Sequence, residues 1–71
     1  MQMIEYTIEV YDMSCEGCET LLERELTRLS GVMEVNADAI TGEVAVMGEP
    51  KTRDRVRRTV AEIGYEPGRV E

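Results

Sequence analysis

A chain of 71 residues fits one domain, and at this size folding buries only about 60 % of the surface that the unfolded chain exposes. That leaves little interior for an enclosed substrate pocket, so a surface-binding module is expected rather than an enzyme. Eight Lys and Arg stand against fifteen Asp and Glu, a formal net charge of −7, which is the wrong sign for nucleic acid or an anionic membrane surface and the right one for cations or basic protein surfaces.

In chain order, Ile4, Tyr6, Ile8 and Val10 alternate with Glu5, Thr7 and Glu9, the period-two pattern of a half-buried strand. The segment Met13-Ser14-Cys15-Glu16-Gly17-Cys18 follows as a loop. From Cys18 onward Leu22, Leu26 and Leu29 fall at helical spacing, with Glu23, Arg24, Glu25 and Arg28 expected to face water. Ser30-Gly31 closes this helix, glycine being favoured just past a helix end. Val32, Val35 and Ala37 predict a second strand of loose period. Ile40-Thr41-Gly42 is its turn, and Glu43 to Met47 is a third strand. Gly48-Glu49-Pro50 breaks that strand. Thr52 is placed to cap a second helix carrying Val56, Val60 and Ile63 inward, and Gly64 stops it. Tyr65 to Glu71 can form a short fourth strand, at an edge because of Pro67 and Gly68.

The order β-α-β-β-α-β is that of the ferredoxin-like α+β fold. It predicts a four-stranded antiparallel sheet with both helices on one face and the other face open to water. One domain over residues 1–71 is expected, without linker or low-complexity segment. The basic run Lys51, Arg53, Arg55, Arg57 and Arg58 reads as the solvated side of the second helix.

No apolar stretch approaches the ~20 residues that span a bilayer, and Glu5 and Glu9 make residues 1–11 unlike a signal peptide. A cytoplasmic location is expected. Of the eight basic residues only Lys51 is a lysine. Such acidity with almost no lysine suggests a halophilic protein as a hypothesis; ordinary composition drift is the alternative, and stability that did not rise with KCl would argue against the hypothesis.

The chain has two cysteines and no histidine, so its soft chemistry rests on Cys15 and Cys18. In a reducing compartment such a pair is expected to bind metal or act in redox chemistry rather than staple the fold. Positions i and i+3 lie about 10 Å apart on a strand, but their Cβ atoms come to about 5–6 Å on a helical turn. A metal–sulfur bond of about 2.3 Å lets one ion bridge thiolates up to about 4.6 Å apart. The pair therefore suits one metal if Cys15 lies in the loop and Cys18 in the first helical turn. Gly17 is expected to supply backbone freedom there, and the helix N-terminus favours thiolate. Two ligands are too few for a closed structural zinc site, and soft thiolates at low coordination favour Cu(I). Asp12, Glu16 and Glu19 lie beside the pair. They are either helix-start carboxylates favoured by the dipole, or the source of a harder third ligand that would suit Zn(II).

Met13-x-Cys15-x-x-Cys18, with Leu22, Leu26, Leu29, Gly31-Val32, Val35, Gly42, Val44, Val46, Val56, Val60, Ile63 and Gly64-Tyr65, resembles the heavy-metal-associated domain family along essentially the whole chain. That family includes small copper chaperones and the metal-binding modules of metal-transporting P-type ATPases. The resemblance implies that Cys15 and Cys18 are the metal ligands, Cys15 the more exposed and first to exchange. It implies that Met13 points into the core to support the loop, with thioether ligation as the rival role, and that Tyr65 lies beside the loop. Members commonly carry Gly before the motif Met, where this chain has Asp12. Some zinc- and cadmium-transporting members carry an acidic residue where this chain has Ser14, which looks more like the copper members.

The resemblance thus implies a Cu(I) chaperone that passes its ion to a C-x-x-C site on a P-type ATPase or another metal-receiving protein. It would be a free protein or one domain of a larger ATPase, and a metal-bridged homodimer is a further possibility. A second reading is a Zn(II) or Cd(II) module using Asp12 or a glutamate. A third, thiol–disulfide oxidoreductase, fits poorly: the chain is short for that fold, and Cys-Glu-Gly-Cys lacks the flanking Trp and Pro.

Overall fold

The computed structural model describes residues 2–13 and 16–71. Its elements are β1 (Ile4–Tyr11), α1 (Glu16–Thr27), β2 (Val32–Asp38), β3 (Glu43–Gly48), α2 (Thr52–Ile63) and β4 (Glu66–Val70). The sheet order is β2-β3-β1-β4, with every neighbouring pair antiparallel. β3 separates the strands that α1 connects, and β1 separates those that α2 connects, which is the ferredoxin-like arrangement.

The strand alternation sends Tyr6, Ile8, Val10, Val35, Val44 and Val46 to one face, where they bury with Leu22 and Leu26 of α1 and Val56 and Val60 of α2. Each fully buried aliphatic side chain here contributes about 1.5–3 kcal/mol. The opposite face carries exposed Glu5, Glu34, Asn36, Asp38 and Glu43 and has no helix over it. On that face the ring of Tyr11 lies over Gly68, where an added Cβ would come within 2.9 Å of Tyr11 Cε2.

Three local expectations change. The first helix ends at Thr27, not at Leu29. Leu29 still packs on the core, but its N–H bonds Leu26 O three residues back, and Val32 N–H bonds Leu29 O. Leucine spacing tracks the buried face and so outlives the α-helical bonding. The loose period of β2 is a register shift between Val32 and Glu34, a β-bulge that turns Met33 outward at 62 % exposure. Thr52 is not the cap of α2; Lys51 holds that position without a side-chain cap. Thr52 is 1 % exposed, and its hydroxyl donates to Glu49 O at 2.6 Å. With that proton committed, Tyr6 O–H is the donor in the buried 2.7 Å bond to Thr52 Oγ1.

The register fixes which loops share an end. Ile4 faces Gly48, so the β3–α2 connection lies where β1 begins. Tyr11 faces Glu66, and Val10 N–H bonds Gly42 O. The β1–α1 loop, the β2–β3 turn and the α2–β4 junction therefore gather at the other end.

Candidate metal centre

The left-handed backbone in the β1–α1 region falls on Asp12, at φ 70. This is the conformation glycine adopts without penalty and Asp tolerates better than most residues. The departure from the family's usual glycine thus sits where glycine would help, and Asp keeps the turn with some strain. Gly17 lies inside α1 and is not among the glycines with positive φ; the special backbone freedom expected there is used at Asp12. The Asp12 side chain is exposed.

Met13, at 5 % exposure, belongs to the core cluster. Burial of this flexible thioether ties the residue after the turn to the sheet. Cys18 stands in the first turn of α1, partly buried against the same core. Metal uptake through Cys18 requires the reduced thiol. The unpaired N–H groups and positive dipole end of α1 then favour its thiolate. Ser14 and Cys15 lie outside the described residues.

Tyr65 reaches the same end by a separate route. Gly64, at φ 119, donates its N–H to Ala61 O, and Tyr65 N–H bonds Val60 O. This paired closure ends α2 and turns the chain back toward β4. It leaves Tyr65 partly buried against the core, one residue before the Glu66 that pairs with Tyr11. Met13, Cys18 and Tyr65 thus pack on one core cluster at one end of the sheet. A surface depression of about 560 Å³, lined by Pro50, Lys51, Arg53, Asp54 and Val70, lies at the α2 N-terminus and is not part of this region.

Two carboxylates do something the residue pattern did not announce. Glu19 Oε2 accepts Ala39 N–H at 2.6 Å, and Glu23 Oε2 accepts Ala37 N–H at 2.9 Å. Glu23 is therefore partly buried against β2 rather than simply turned to water. The Ala37 bond falls on the free edge of β2, where backbone donors have no strand partner, and the Ala39 bond on the first residue of the β2–β3 turn. A signal was present: like charges at i and i+4 repel on a bare helix, so their pairing hints at donors nearby. Among the described residues no group of three or more Cys, Asp or Glu side chains converges to hold an ion. No helix among them is long and apolar enough to cross a membrane.

Comparison with known proteins agrees with this architecture. The family model for the heavy-metal-associated domain matches residues 7–66. Copper-transporting ATPase HMA5 of Oryza sativa subsp. japonica is 28 % identical over 60 residues, which is 82 % of this chain and 6 % of that protein. Oxidized MerP from Ralstonia metallidurans CH34 superimposes with a TM-score of 0.84 at 19 % identity, covering 94 % of this chain and 96 % of MerP. The CopZ metallochaperone gives a TM-score of 0.85 at 21 % identity, covering 92 % and 100 %.

Proposed function

The chain belongs to the heavy-metal-associated domain family, and from that premise we propose that it carries one Cu(I) between the thiolates of Cys15 and Cys18. The observation that carries this reading is the donor set: Cys18 at the start of a helix, its only fellow cysteine three residues earlier, and no histidine in the chain. Soft, low-coordinate thiolate suits Cu(I). An ion held by two ligands at a surface stays open to a partner's thiolates, so it can be passed by ligand exchange to another C-x-x-C site. The copper-transporting ATPase and the metallochaperone among its relatives support a P-type ATPase as the partner. In this reading residues 1–71 act as a single cytoplasmic domain, Met13, Ser14 and Tyr65 shape the loop with Gly17 in the first turn of α1 beside it, and no bond is made or broken catalytically.

The Zn(II) or Cd(II) alternative needs a hard donor. Glu19 is engaged by Ala39 N–H, which leaves Asp12, whose side chain is exposed, and Glu16, whose side chain lies outside the described residues. X-ray absorption at the copper edge of the reduced, Cu(I)-loaded protein tests the reading. A shell of two sulfur atoms is expected; oxygen or nitrogen in that shell would contradict it. Asp12→Asn should leave the spectrum unchanged.

A further inference from the structure

We propose that Glu19 is a positioning residue for Cys18 and does not itself bind the metal. The proposal rests on the reading of Cys15 and Cys18 as ligands and extends it to what holds one of them in place. Glu19 and Glu23 are one helical turn apart, a rise of about 6 Å. Their partners are Ala37, in β2, and Ala39, the first residue of the turn after it. Two bonds, of 2.9 Å and 2.6 Å, thus join α1 to β2 and its turn. The bond nearer the helix start is at the residue next to Cys18. The start of a helix is the part least held by its own backbone bonds, because its first N–H groups have no partner within the helix. A side-chain tether to the sheet therefore matters most there. Cys18 is partly buried against the core, so its sulfur goes where the first turn of α1 goes. The same bond keeps the Glu19 carboxylate turned toward Ala39, which leaves the metal to the thiolates.

The test compares Glu19→Gln, Glu19→Ala and Glu23→Ala in the full chain, reduced. Cu(I) and Zn(II) affinities are measured by chelator competition, with amide hydrogen exchange at Ala39 and a thermal melt for each variant. The Gln side-chain carbonyl can accept the same bond, so Glu19→Gln should keep Ala39 protected and both affinities within about twofold of the parent. Glu19→Ala should release Ala39 and weaken both ions about tenfold, the scale typical for losing a group that orients a ligand. Glu23→Ala should lower the melting temperature as Glu19→Ala does yet leave the affinities in place. Loss of Zn(II) affinity in Glu19→Gln with Cu(I) spared would make Glu19 a ligand and overturn the proposal. Equal affinities in Glu19→Ala and the parent would overturn it too, making the bond purely structural. Failure of the underlying reading looks different: the parent protein itself would bind neither ion, or would bind both equally well after Cys15→Ser and Cys18→Ser.

Discussion

Asp12 shows how one side chain can be explained only by its backbone. From the sequence it was a carboxylate beside two thiols and so a candidate ligand; in the fold it occupies a left-handed turn at φ 70. Asp12→Val should therefore destabilise the protein by about 1–2 kcal/mol, because a β-branched residue is poorly tolerated there. Asp12→Gly should cost nothing measurable in a denaturant titration; equal stabilities for Val and Gly would remove the strain argument. Tyr6 is a second case. Burial raises its pKa above the ordinary 10.0, while the Arg53 charge pulls it down by less. A raised tyrosine stays neutral in the fold, so its contribution is intact below pH 10.0 and is lost as pH climbs through the higher folded value. Thermal melts should fall above that pH, and fall less steeply in Tyr6→Phe. Parallel curves would show that Tyr6 ionises alike in both states. Neither residue's role was legible beforehand, because both depend on partners or dihedrals fixed by distant segments: Tyr6 and Thr52 are 46 positions apart.

At the scale of elements, the hydrophobic spacing carried most of the information. Period-two and helical patterns placed all six elements in order, and the motif spacing put Cys18 in the first turn of α1. What they missed has one cause: apolar spacing reports which residues are buried, not which backbone bonds form. Leu29 is packed but not helical, and the uneven spacing of Val32, Val35 and Ala37 is a bulge. Polar residues were misread for a related reason. Thr52 resembled a cap and Glu23 a solvated charge, yet each bonds a backbone group on a neighbouring segment. The closure at Gly64 was legible and carries a prediction. An added Cβ there meets nothing within 4 Å, but φ is 119. Gly64→Ala should therefore cost about 1–2 kcal/mol through backbone strain alone. A Gly64→Ala melt matching the parent would mean that the α2–β4 junction relaxes, and with it the position of Tyr65.

For the whole molecule, charge and donor count set the behaviour. Of the eight basic residues, five lie between Lys51 and Arg58, while acidic residues cover the rest of a chain of net charge −7. Like-charge repulsion of this kind is screened by salt, so the melting temperature should rise from low to molar KCl. A flat or falling curve would mean that the acidity has no bearing on salt tolerance. The central claim concerns the two thiols. Its most direct test is an anaerobic titration of the reduced protein with Cu(I) against a competing chelator, repeated with Zn(II) and with Cys15→Ser and Cys18→Ser. One Cu(I) per chain should bind strongly enough to hold against the chelator, with Zn(II) far weaker and each serine variant losing the copper. Copper binding that survives either substitution, or Zn(II) preferred over Cu(I), would contradict the account.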